Sequence, residues 1–462
     1  MQPRWLNPLR GLAGAAVLGA AIGASVWLDP NLPLIVSGAL VLLGMLLLSQ
    51  PVHLLFLLVV LTPFTAAIPA GALIPILSPY DLMLILVTVL MAVFVLLCGR
   101  RTLLPPALIA ALVAFGLGTS VGPLYLFLAR GDPLELGDVV SLLAPLKFLL
   151  VFWLFMVGPR TTDQRSNLIR WMVYSATVVA GIGLLQAARL PMVDEILNAV
   201  YPSAQTANSL ELGRVTSVMG AWNSLGLFLL TALMIIAATI ADERSRGRRR
   251  GLILCAAIVL ACLLATNLYS GLIGAALGLL ILKTSDPRGI RSLMPLVLVS
   301  VLGALVLLPT IIQRAEMQFE EESWVPQTLR FRYHVWTDYF IPAIAEEPWL
   351  GVSPNFDDIP FPYPESQYIY YLYRSGALSL VAHLIWIASL LTWLISSRKR
   401  EPPGPDRQLN RSVALIPIVL ILVLSLIGAI NPVFTYTGSM TYFWMIVGLI
   451  INAKQGANYD AT

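Results

Sequence analysis

The chain has 462 residues, 58% of them hydrophobic and only 12% charged, and its mean hydropathy is +0.82. Those values exclude an ordinary soluble globular fold and describe an integral membrane protein. Fourteen spans of about 20 residues would take up about 280 positions, leaving room for one sizeable aqueous segment and short loops but no separate soluble domain.

The first apolar run, 11–28, is too long for a signal-peptide core, and a second run follows within a few residues, so it is expected to stay as a span. Further runs lie at 34–49, 53–70, 82–98, 103–122, 139–158, 167–187, 218–241, 252–266, 269–282, 292–312, 368–396, 412–430 and 436–452. The sequence therefore predicts an all-α polytopic membrane protein with about fourteen transmembrane helices. Cys98, Cys255 and Cys262 all fall inside these runs, and His53, His334 and His383 are scattered, which argues against a disulfide framework and a zinc site.

A pI near 9.0 invites a nucleic-acid partner, but position decides otherwise. Arg100, Arg101, Arg160, Arg165, the run Arg244 to Arg250, Lys283 to Arg291 and Arg398 to Arg411 fall in even-numbered connections. With Arg4, Arg10, Arg170 and Lys454 they put most of the 29 Lys and Arg on one side, so the positive-inside rule predicts cytoplasmic N- and C-termini. The run at 244–250 is then a topology anchor, and no nucleic acid is expected as a partner. The informative cations are those left over: Arg130, Lys147, Arg189, Arg214, Arg314, Arg330, Arg332 and Arg374.

Two outward segments are long, 188–217 and 313–367. The chain thus divides into spans one to eleven over 1–312, a large extracytoplasmic helical loop over 313–367, and three further spans with a cytoplasmic tail over 368–462. The large loop holds ten carboxylates against three arginines, so any anion there must be held by individually placed arginines rather than by bulk charge. Within it, 327–346 reads as an amphipathic helix in spite of Pro342. Arg330 and Arg332 stand about 200° apart around it. Leu329, Val335, Trp336, Tyr339 and Ala343 share the side of Arg332, which is expected to point into packed protein or a cavity and to need a carboxylate or phosphate partner. Arg330, beside Gln327, His334 and Asp338, is expected to face solvent. A Pro/Gly turn follows at Pro348 to Gly351, and Tyr368, Tyr370, Tyr371 and Tyr373 form either an interfacial aromatic belt or a wall for sugar or lipid.

Arg214 precedes the eighth span. Gly220, Asn223 and Gly226 leave one face of that helix start open to a phosphate, though the same residues also suit an interface arginine and a helix-packing face. Lys147, deep in the sixth span after Pro145, is expected to face a cavity or a carboxylate on the substrate path. Asp81 reads as a helix N-cap. Glu365 and His334 are each either a solvated surface group or a base.

In this order the motifs resemble the superfamily of O-antigen ligases and O-antigen polymerases, membrane glycosyltransferases of the bacterial envelope and of the GT-C class. The eighth span carries Arg214…Gly220…Asn223…Gly226; the ninth and tenth spans form a tight pair; the loop carries Arg332-x-x-x-Trp336, Pro348-x-x-Gly351 and Glu365-Ser366-x-Tyr368-Ile369-x-x-Leu372-x-x-x-Gly376. The resemblance covers about 167–396. Two positions depart from it: Glu365 stands where ligases usually carry His, and Tyr269-Ser270-Gly271 stands where the tenth span usually opens with Ser-Arg-Gly. The carboxylate favours a polymerase-like member.

The resemblance implies transfer of a glycan from undecaprenyl pyrophosphate to a hydroxyl of another lipid-linked repeat unit, in the bacterial inner membrane with the site facing the periplasm. It implies Arg214, Arg332 and Glu365 as catalytic residues and Asn223, Arg330, His334, Tyr368 and Trp336 as substrate-binding residues, to which Lys147 is added for its depth in the sixth span. The growing polysaccharide is then the acceptor, membrane lipid the surrounding partner, and a chain-length regulator and a flippase are expected in the same pathway. The activated sugar brings its own leaving group, so neither nucleotide, metal nor other cofactor is expected, and the chain shows no glycine-rich phosphate loop or paired-carboxylate metal motif. An O-antigen ligase or a protein O-oligosaccharyltransferase would use the same donor. A lipid-linked oligosaccharide flippase is the alternative of another class; it would be built on internal repeats with short loops, and a loop of about 55 residues on one face argues for chemistry there.

Overall fold

The computed structural model describes residues 52–68, 77–97, 104–159, 161–201, 214–243, 245–285, 312, 326–354, 356, 359–361, 363–399 and 413–459, save the side chains of 455–459 and of single positions within helices. The predicted spans at 11–28 and 34–49, and all but Ile312 of that at 292–312, lie outside the described residues. The described residues form an all-helical fold. Five of their helices are long and apolar enough to cross a membrane, or six if one bent pair is a single span.

Helix α1 (Val52–Thr65) is followed by α2 (Pro79–Leu97). Asp81 is not the N-cap of α2. Ser78 is, its Oγ accepting from Asp81 N at 3.2 Å, while Asp81 Oδ2 accepts from Ser78 N at 3.2 Å and completes a reciprocal capping box. The fifth predicted span is built of α3 (Pro106–Gly116), a π turn at Leu117–Val121 and α4 (Gly122–Arg130). The sixth is broken into α5 (Leu136–Leu143) and α6 (Leu146–Val157), bent by 40°, because Pro145 has no N–H to offer the preceding turn and its ring crowds that turn's carbonyl.

Next come α7 (Thr162–Ala187), α8 (Pro191–Val200), α9 (Trp222–Asp242), α10 (Arg246–Ala265) and α11 (Tyr269–Ser285). Helix α9 is buried along almost its whole length, with α7, α10, α11 and the two last helices packed around it. It starts at Trp222 rather than at 218, because Ser217–Met219 make a 3₁₀ turn and Gly220 is left-handed at φ 67°. Gly220 therefore does not share a helix face with Asn223. Gly226 is a packing position, where a Cβ would stand 2.5 Å from the Leu268 side chain. A short turn joins α10 to α11, yet α11 lies on α9 and on the helix Leu415–Ile427 rather than on α10.

The loop helix predicted over 327–346 is α12 (Gln327–Val335), a π turn at Trp336–Phe340, and α13 (Ile341–Glu346). The bundle closes with α14 (Gln367–Lys399), α15 (Leu415–Ile427) and α16 (Thr437–Tyr459). Helix α16 runs along α6 at short range, since a Cβ on Gly448 would lie 2.6 Å from Phe152 O. Edge-to-face contacts of Phe115 with Trp386 and Trp444, and of Phe152 with Trp444, tie α3, α6, α14 and α16 together.

Within α14 the backbone leaves helical geometry at Gly376, φ 69° and ψ −175°. The turn at 348–351 sits on that kink: Ala377 N donates to Pro348 O at 2.8 Å and Val352 N to Tyr373 O at 2.6 Å. A Cβ at Gly376 would stand 2.2 Å from Trp349 O, and one at Gly351 would stand 2.5 Å from Ser375 N. The two glycines are thus needed for the same contact, which docks the loop on the bundle. The loop also covers the tyrosines. Tyr371 and Tyr373 are buried and Tyr373 stacks on Phe356, so the run is not a lipid-facing belt.

Candidate functional site

Arg332 of α12 and Glu365, just ahead of α14, form an ion pair with Nη2 and Oε2 3.0 Å apart, both side chains partly exposed. Of the partners that the sequence allowed Arg332, the structure supplies the carboxylate. Glu365 has φ 52°, a left-handed conformation that residues other than glycine rarely adopt and that is concentrated at ligand clamps and active sites. Its neighbours hold it there. Pro364 O accepts from Trp336 Nε1, Gln367 N donates to Gly428 O at 2.8 Å, and Gln367 Oε1 accepts from Phe434 N at 2.8 Å.

Tyr436 completes this centre. Its ring carries the hydroxyl within electrostatic reach of Glu365, Tyr363 and Arg332 and within hydrogen-bonding reach of Asn223, and the hydroxyl donates to Asn431 Oδ1 at 3.2 Å. Sequence reasoning missed Tyr436, Asn431 and Gln367. The available signal was Asn431-Pro432, a turn that interrupts two apolar runs.

Arg330 is half-buried like Arg332 instead of facing solvent, whereas Leu329, expected on the packed side, is 40% exposed. The reason is that α12 meets the fold along one stripe, with Val335 its only buried residue, so both flanks are partly covered. His334 is exposed and pairs with Asp338 one turn on; it is not brought to Glu365 in that contact. Arg214 stacks over Trp222, with its guanidinium carbon 4.5 Å from the ring centroid, and Trp222 is the residue before Asn223. The loop under Arg214 is set by the buried Gln186 of α7, whose Oε1 accepts from Thr216 N at 3.0 Å and Ser217 N at 2.8 Å. Gln186 was also missed, although an amide inside an apolar run calls for a partner.

Lys147 lies at the break between α5 and α6. Its Nζ is 3.6 Å from Asp81 Oδ1 and 5.6 Å from the Tyr80 ring centroid. It also opens on a cleft of roughly 660 Å³, open mouth included, shared with Thr119, Ser141, Tyr370, Arg374 and Thr435. A carboxylate and a cavity are therefore both present. Tyr368 is turned away, its Oη donating to Ser425 O at 2.6 Å. Arg130 fastens the loop from the side, with Nη1 donating to Gly351 O at 2.9 Å. Among the described residues no three His, Cys, Asp or Glu side chains converge as metal ligands would.

The chain matches no protein-family model and no curated protein.

Proposed function

We propose that the protein is a membrane glycosyltransferase that moves a glycan from undecaprenyl pyrophosphate to a hydroxyl of another lipid-linked repeat unit, as an O-antigen or exopolysaccharide polymerase. The proposal includes a fourteen-span topology in a bacterial inner membrane, both termini cytoplasmic and the 313–367 loop periplasmic. The observation that carries it is the Arg332–Glu365 pair, with Trp336, Asn223 and Tyr436 around it. A guanidinium beside a strained carboxylate brings a diphosphate clamp and a base to one place.

In the reaction, the bond from the anomeric carbon to the phosphate oxygen breaks and its electron pair leaves with the lipid diphosphate. The acceptor oxygen bonds to that carbon, and its proton passes to Glu365. Attack from the face opposite the leaving group gives inversion. Arg332 stabilises the charge gathering on the diphosphate, aided by Arg214. The donor carbon and the acceptor hydroxyl must enter between Arg332 and Glu365, so on this reading their 3.0 Å contact is a resting state. A diphosphate carries more charge than one carboxylate and competes for Arg332, which frees Glu365 to take the proton.

The test is to incubate purified protein with lipid-linked repeat units in detergent, without nucleotide or added metal, and to separate the products by glycan length. A ladder is expected. Transfer only to a lipid A core or to a peptide would make the protein a ligase or an oligosaccharyltransferase. No transfer to any acceptor would overturn the enzyme in favour of a lipid-linked oligosaccharide flippase.

A further inference from the structure

We propose that the cleft beside Lys147 is a second anion subsite, which takes the phosphate or diphosphate headgroup of a lipid. The first support is charge. Arg374 is 7% exposed, yet its guanidinium meets only neutral groups among the described residues, Tyr370 Oη and Ser141 Oγ and the Tyr370 ring, 5.5 Å from its centroid. Its Nε has no hydrogen-bond partner, and no described carboxylate pairs with it. Across the cleft, Lys147 shares the single carboxylate of Asp81. Two cations thus stand against one acid in a sheltered site, an arrangement that is costly until a further anion arrives.

The second support is the backbone. The break at Pro145 turns the N-terminal, positive end of the 12-residue α6 toward the cleft wall. Thr119 comes from the π turn of the fifth span, Ser375 immediately precedes the kink at Gly376, and Thr435 ends the 3₁₀ turn Val433–Thr435. Interrupted helices within apolar spans persist where they line a cavity or are buried in protein, and here three interruptions and the turn between the last two helices line the same one. Phe115, Phe148, Tyr371 and Phe434 complete the lining, an apolar surround that suits a lipid-borne headgroup better than a free ion.

The two centres adjoin along the chain. Thr435 lines this cleft, while Tyr436, the next residue, is within electrostatic reach of Glu365 and Arg332. A polymerase has two lipid diphosphates to hold; on the proposed function, which this one assignment rests on, the Arg332 centre takes the donor and the Arg374 cleft the acceptor. The anion subsite itself does not depend on that reading.

The experiment measures equilibrium binding of undecaprenyl diphosphate in mixed micelles to the purified full-length protein and to R374Q and K147M, each checked for monodispersity and melting. Two equivalents per chain are expected for the wild type and one for each variant that is folded. One equivalent for the wild type and none for the variants would keep the cleft and remove the Arg332 centre as a lipid site. Unchanged binding by both variants would overturn the proposal, whereas equal competition by phosphatidylglycerol would assign the subsite to a lipid phosphate in general rather than to a diphosphate. K147M decides the matter if R374Q does not fold. Displacement by inorganic diphosphate would assign the recognition to the headgroup alone, and displacement only by the lipid form would assign it to headgroup and tail together, both within the proposal. Glycan transfer is followed in parallel. A ladder with binding unchanged in the variants sinks the subsite alone, whereas lost binding in the variants without any wild-type ladder sinks the enzyme alone.

Discussion

Glu365 is held by its backbone and by its side chain together, at φ 52° and 3.0 Å from Arg332. A carboxylate so placed serves as a base only when the guanidinium is drawn to something more negative. Glu365→Gln keeps the side-chain volume and removes the proton acceptor, so glycan transfer is expected to fall at least about a hundredfold. Arg332→Ala removes charge-assisted bonds worth about 1.5–3 kcal/mol, a loss of roughly 10 to 150-fold in rate. Initial rates of ladder formation on monodisperse variants measure both. A Glu365→Gln rate near wild type would move the base to another group. Arg332, Trp336 and Glu365 were legible in sequence because each sits in a polar loop, where a large or charged side chain stands out. Tyr436 and Gln186 were not, because their partners lie far along the chain and an apolar run carries no mark of which residue it will meet.

At the scale of elements, several predicted spans are not simple rods. The fifth is interrupted by a π turn, the sixth by Pro145 and the twelfth by Gly376. Hydropathy registers only that a stretch is apolar, so it passes over a break that leaves the composition unchanged. Pro145 tests whether the break matters. Proline costs about 3 kcal/mol more than alanine in a helix interior, so Pro145→Ala is expected to join α5 to α6 and to hold or raise the melting temperature. It is also expected to slow glycan transfer several-fold, since Lys147 would leave its place at the cleft. Melting curves paired with transfer rates check this, and unchanged transfer in a straightened helix would show that the break is only structural.

For the whole molecule, the loop and the bundle act as one piece. Arg130 grips Gly351, the turn at 348–351 seats on Gly376, and Trp336 closes on Pro364. The charge pattern sets the side on which this assembly should lie. Tyr333→Cys, an exposed position of α12, is expected to react with a membrane-impermeant maleimide in intact spheroplasts, and Arg246→Cys only after permeabilisation. Labelling of Arg246→Cys from outside would invert the proposed orientation.

The sequence by itself determined the all-helical, membrane-embedded character of this protein, because that follows from how many apolar residues stand in a row and needs no knowledge of their neighbours. It also marked Arg332 and Lys147 as charges in need of partners, since an ion near or within apolar surroundings must be compensated whatever the fold. Which partner each one met was decided by tertiary structure alone. Glu365 reached Arg332 across 33 residues, Asp81 reached Lys147 from another helix, and Arg374 was left with hydroxyls. Those pairings depend on the angles at which helices cross and on where they break, which periodicity along one chain does not encode.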